Sequence, residues 1–108
     1  MMRLLASLPE QYQDVWWKGE WIKGKRDCAT RWDMIHKLIK PHDVVMDLGS
    51  SLGYYSYRTA KFYPDTLVVS FESEPEMCEV QKKVYEVEGI YNVVLCQHRL
   101  TAQEITKW

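Results

Sequence analysis

Apolar positions along the chain change period several times, and each change marks an element. From Cys28 to Lys40 the residues Ala29, Trp32, Ile35, Leu38 and Ile39 recur at helical spacing until Pro41 stops the run. Val44-Val45-Met46 then forms a continuous apolar run ending in Asp47-Leu48-Gly49, the pattern of a strand covered on both faces. Helical character returns from Gly53 to about Tyr63, after which Pro64-Asp65 turns the chain into Thr66–Phe71, a β-branched and apolar second strand. Ser73-Glu74-Pro75-Glu76 reads as a capping box with proline near the helix start, and Met77, Val80, Val84 and Val87 carry that helix to a closing Gly89. Asn92–Cys96 makes a third strand. Thr101-Ala102-Gln103-Glu104 opens one more capped helix.

Ahead of these elements, Ser7-Leu8-Pro9-Glu10 has the form of a capping box, and a short helix with Tyr12, Val15 and Trp16 on one face is expected to follow. Trp17–Lys25, with Gly19, Gly24 and no clear period, is expected to be a connection. The pattern divides the chain into an N-terminal helical segment, residues 1–40, and a partial Rossmann-like domain, residues 41–108. Helices and strands alternate with links that call for crossover connections. The expected fold class is therefore α/β, a Rossmann-like three-layer αβα arrangement around a parallel sheet, of which these elements form the first half.

Composition narrows the function classes. With 46% hydrophobic and 27% charged residues the chain is expected to build a core, and a net charge of -1 with scattered basic residues gives no electrostatic footprint for nucleic acid. Cys28, Cys78 and Cys96 are odd in number and lack C-x-x-C spacing, which points to a reducing, cytoplasmic setting. No apolar stretch approaches the ~20 residues of a membrane span. His36, His42 and His98 lack metal-ligand spacing, so no metal site is expected.

The chemistry lies in Asp47-Leu48-Gly49-Ser50-Ser51-Leu52-Gly53-Tyr54, between the first strand and its helix. Ligands of open α/β sheets bind beyond the carboxyl ends of the strands, which is where this loop falls. Gly49 permits a sharp turn, Gly53 permits the helix start to approach a ligand, and the amides there favour a carboxylate. Asp47 would repel a pyrophosphate but can accept hydrogen bonds from an ammonium group. Glu72 closes the second strand, nineteen residues after Gly53, where a carboxylate can take both hydroxyls of a ribose. An amino acid at one end and a ribose at the other describe S-adenosylmethionine.

The pattern Asp-x-Gly-x-x-x-Gly, followed by a helix and an acid ending the next strand, resembles the class I methyltransferase signature. The run Val44–Ser56 together with Phe71-Glu72-Ser73-Glu74-Pro75 is similar to the FkbM-type branch in particular. The resemblance implies that Asp47, Gly49, Ser50, Ser51 and Gly53 surround the methionine part; Tyr54, at the start of the helix, is itself expected to touch the cofactor or the acceptor. The resemblance also implies that Glu72, with Ser73 beside it, holds the ribose. Ser51 stands where the commonest pattern has glycine. Gln97-His98-Arg99-Leu100 lacks the acid that many relatives set near the adenine amino group, leaving Gln97 or His98 as substitutes. The reaction that the resemblance implies is methyl transfer to an oxygen of the acceptor.

Class I methyltransferases normally continue with further strands that line the acceptor site, so the expectation is a cofactor-binding portion of such an enzyme. Its first strand would be left with a free edge open to a second copy of the chain. Two other readings are a non-catalytic binding or interaction module and a nicotinamide-dependent oxidoreductase. For the latter the G-x-G-x-x-G register places Ser51 and Tyr54 where glycines belong. Trp16, Trp17, Trp21 and Trp32, and Tyr55 and Tyr57, are expected to pack.

Overall fold

The computed structural model describes Leu5 and residues 11–107. The Ser7–Glu10 capping pattern lies outside the described residues. Where a helix holding Val15 and Trp16 was expected there is a β-hairpin: β1 (Val15–Trp17) pairs antiparallel with β2 (Glu20–Ile22), in the register Val15↔Ile22, Trp16↔Trp21 and Trp17↔Glu20. The N-terminal segment is thus not wholly helical. Apart from Glu20 its strands are β-branched and aromatic residues, joined by Lys18-Gly19, both at positive φ (49° and 89°), the left-handed pair that a two-residue hairpin turn requires. A cross-strand contact holds the pair, with the Trp16 and Trp21 rings edge-on at 5.2 Å. A Cβ at Gly24 would collide with the carbonyls of Tyr12 and Gln13, so glycine is required where the hairpin passes back over its own approach.

Helix α1 (Cys28–Ile35) starts at Asp27, whose carboxylate accepts from Thr30 N at 3.1 Å, and tightens into a 3-10 turn at His36–Leu38 before Pro41. Strand β3 (Val44–Leu48), helix α2 (Tyr54–Phe62), strand β4 (Leu67–Phe71), helix α3 (Pro75–Glu88), strand β5 (Val93–Cys96) and helix α4 (Ala102–Ile105) follow. The predicted βα alternation is present, and the strands form a parallel sheet ordered β3-β4-β5. Gly89 closes α3 in the left-handed conformation, as expected, and the Thr101–Glu104 capping box of α4 is formed in both directions. At the start of α3 the expected Ser73 cap is absent. The N-cap residue is Glu74, and its amide is taken by the Glu72 carboxylate at 2.9 Å.

One face of the sheet is covered. Val68 and Ser70 on β4 are fully buried beneath the helices, and a core of Val15, Leu52, Tyr57, Val80, Val84 and Tyr85 joins the hairpin to α2 and α3. On the other face Val44, Met46 and Leu48 of β3 are 63%, 42% and 49% exposed. The expectation that β3 is covered on both faces therefore fails. Helices α2 and α3 link successive strands in one direction across the sheet, which places both on the same face. Among the described residues no helix is long and apolar enough to cross a membrane.

Candidate functional site

The loop from β3 to α2 is shaped by three residues at positive φ: Gly49 at 68°, Ser51 at 56° and Gly53 at 85°. Gly53 has no room for a side chain, because a Cβ there would lie 2.7 Å from Cγ of Gln81. At Gly49 a Cβ would meet nothing within 4 Å, so the turn itself, beside an open cleft, asks for glycine. Ser51 accepts the left-handed conformation at a cost of about 1–2 kcal/mol. That cost gives a physical reason for the glycine commonly found at this position in the proteins the sequence resembles.

Glu72 directly follows β4 and is buried, with its carboxylate aimed back at the loop. Oε1 accepts from the Ser51 amide at 2.7 Å, and Oε2 accepts from the Glu74 amide at 2.9 Å. Each oxygen keeps a further acceptor site. A cleft of about 280 Å³ opens beside it, lined by Gly49, Glu72, Ser73, His98 and Arg99 among others. The far wall is organised by His98, whose Nε2 lies 2.8 Å from Oε2 of Glu104, the residue that also caps α4. His98 lines the cleft, whereas Gln97 is not among the lining residues.

Asp47 sits on the other side of the strand end. Its Oδ2 accepts from Oγ of Ser56 at 2.7 Å, and it lines a separate, mainly apolar cavity of about 240 Å³ with Arg31, Ile35, Met46 and Tyr55. Burial pushes the Asp47 carboxyl above the usual carboxylate range against the pull of the Ser56 hydroxyl, and the nearby charge of Glu72 adds to the rise. The structure therefore gathers Gly49, Glu72 and Ser73 on one cleft and sets Asp47 at its back.

Ser50 and Tyr54 are occupied by the protein itself. Ser50 is fully buried and its hydroxyl accepts from Nε2 of Gln81 at 2.8 Å. The Tyr54 ring is buried against Trp21 and Tyr55, with its hydroxyl accepting from Arg58 at 2.8 Å. Its amide, one of those expected to be free at the helix start, donates to Oε1 of Gln13 at 3.1 Å.

Gln13 and Gln81 are the site residues that sequence reasoning missed. Gln81 lies on a buried face of α3 with Cys78 and Tyr85, at spacings of three and four residues. A polar residue on that face was the signal available. Gln13 precedes the misread hairpin and left none.

A parallel sheet with helices on its covered face and a glycine-containing loop after the first parallel strand is a Rossmann-like α/β arrangement. No protein-family model matches the chain, and no curated protein does. Solved structures do match. The bifunctional kinase-methyltransferase WbdD is 26% identical at a TM-score of 0.74, over 91% of this chain and 23% of that one. A coclaurine N-methyltransferase, bound to N-methylheliamine and SAH, is 16% identical at 0.62, over 82% of this chain and 28% of that one. An rRNA methylase from Streptococcus thermophilus is 16% identical at 0.59, over 72% of this chain and 42% of that one. The chain thus spans under a quarter of the WbdD chain it matches (23%).

Proposed function

We propose that this chain forms the cofactor-binding part of an S-adenosylmethionine-dependent methyltransferase of FkbM type that methylates an oxygen. The observation that carries the proposal is Glu72. Its buried carboxylate follows the end of β4 at the mouth of the cleft, tethered to the loop through the Ser51 amide, with Gly49 and Ser73 alongside. This donor set fits a ribose, because a carboxylate with acceptor capacity to spare can take two hydroxyl protons. The fold shared with the methyltransferases above supports the same ligand.

Bound S-adenosylmethionine supplies an electrophilic methyl group on its sulfonium. The chain's own part is to hold and orient. Glu72 fixes the ribose, the Gly49–Gly53 loop sets where the methionine part lies, and Asp47 offers negative charge behind the loop for an ammonium. Such positioning is the protein's main contribution to an in-line displacement. The expectation of pairing between copies belongs to the same reading, since β3 carries a strand partner on one side only among the described residues.

The test is calorimetric titration with S-adenosylhomocysteine, using NAD as the control. Binding of the first ligand alone, weakened at least tenfold by Glu72→Ala in a chain that still melts cooperatively, is the expected result. No binding by folded wild-type chain, or preference for NAD, overturns the proposal.

A further inference from the structure

Gln81 is fully buried, lies on a helix outside the cofactor loop, and has every hydrogen-bonding position of its side-chain amide engaged. Nε2 donates to Oγ of Ser50 at 2.8 Å and to the Ser51 carbonyl at 2.7 Å. Oε1 accepts from Oγ of Ser70 at 3.1 Å and from the Tyr85 hydroxyl at 2.7 Å. The amide therefore ties the loop to the middle of β4 and to the next turn of α3. Burial of an amide is costly unless its bonds are made, so the arrangement holds together as a unit or not at all. The contact is also steric, since only glycine at position 53 lets the loop close over the Gln81 side chain.

We infer that Gln81 is a positioning residue for the cofactor loop, clamping Ser50 and Ser51 so that the strained Ser51 backbone keeps the shape a ligand requires. The inference rests on the reading of that loop as the cofactor site. The two bonds at Nε2 face the loop, and the two at Oε1 face the scaffold. This asymmetry gives the clamp a signature that simple core packing lacks. Losing a bond on the scaffold side costs stability and leaves the loop in place. Losing the donor side frees the loop even where stability is similar.

Gln81→Leu removes both sides, Tyr85→Phe removes one scaffold bond only, and Gln81→Glu keeps the shape while replacing the donor with a group that repels the Ser51 carbonyl when ionised. The readouts are amide hydrogen exchange at Ser51 and Gly53, compared with Val68 and Val69 of β4, and the dissociation constant for S-adenosylhomocysteine. The expected result is at least tenfold faster exchange at the loop amides in both Gln81 variants, with β4 protected as in wild type. Affinity is expected to fall about tenfold in the Gln81 variants and to change little in Tyr85→Phe. If Gln81→Leu does not fold, Gln81→Glu carries the test alone. Unchanged loop exchange, or affinity in the Gln81 variants equal to that of Tyr85→Phe, overturns the clamp and leaves the cofactor reading standing. Wild-type chain that binds no S-adenosylhomocysteine overturns the cofactor reading instead, and loop exchange then decides the clamp by itself.

Discussion

Asp47 is an acid held partly out of water with one hydroxyl for company, and that setting ties stability to pH. Because its folded-state affinity for the proton is raised above the ordinary Asp value by burial, the native chain binds that proton more tightly than the unfolded chain does. Stability from this group is accordingly greatest at acid pH and is lost as pH rises from the ordinary Asp range through the raised value. Asp47→Asn removes the ionisation and keeps an oxygen for the Ser56 hydroxyl. The variant is expected to melt higher than wild type at pH 7 and to converge with it at pH values below the ordinary Asp range, as thermal denaturation at several pH values will record. An ammonium beside the carboxylate reverses the balance. The same variant is therefore expected to bind S-adenosylhomocysteine more weakly by about 1.5–3 kcal/mol, the range for a hydrogen bond to a charged group. At this scale the sequence was informative where chemistry and backbone conformation coincide. Gly49, Gly53 and Glu72 could be read from spacing, and the left-handed angles at both glycines supply the reason. Gln81 could not, because a glutamine acquires its role only from its partners, and the two it holds in the loop, Ser50 and Ser51, lie about thirty residues away in sequence.

The elements of the sheet were legible for a different reason. β3, β4 and β5 are short apolar runs, α2 and α3 show a 3.6-residue period, and Gly89 and Pro41 act where local geometry says they should. The hairpin was misread because Tyr12, Val15 and Trp16 satisfy helical spacing over too few residues to discriminate, while Lys18-Gly19 is a less recognisable turn than Asn-Gly. The error mattered, since the hairpin is no simple connection. Trp16 Nε1 donates to Glu88 at 3.0 Å and Tyr57 donates to the same carboxylate oxygen at 3.1 Å, locking the hairpin to α2 and α3. Gln13, just ahead of β1, caps the helix that leaves the Gly49–Gly53 loop. Gln13→Ala is expected to lower stability by about 0.5–2 kcal/mol, the value of a lost helix cap. Denaturant unfolding will measure that loss. Exchange at the Tyr54 amide will show whether it comes from α2: protection unchanged at Tyr54 would assign the loss to the hairpin's own packing.

The asymmetry of the whole molecule follows from connectivity. With α2 and α3 on one face, the opposite face presents Val44, Met46, Leu48, Leu67 and Val94 to solvent, each between 42% and 63% exposed. Scattered apolar residues on a surface are ordinary, but a contiguous apolar patch on one sheet face is not. The expectation that β3 is covered on both faces came from a pattern that cannot distinguish a strand covered twice from one covered once when both are continuously apolar, as Val44-Val45-Met46 is. The edge of β3 adds backbone groups with no strand partner on that side among the described residues, and a flat apolar edge strand is a template for pairing. A second copy of the chain offers the same edge and the same face, so self-association is the outcome expected of the isolated chain. Sedimentation velocity should show an average mass that rises with concentration, and Val44→Lys together with Val94→Lys should return the chain to a monomer without lowering its affinity for S-adenosylhomocysteine. Neither residue lines the cleft, so a change in affinity would have to act through the sheet. A wild-type chain that stays monomeric at high concentration would mean that α4 and the residues around it shield the face well enough alone. Ile105, on the wall of the cleft beside Leu48 and Phe71, is where that shielding starts.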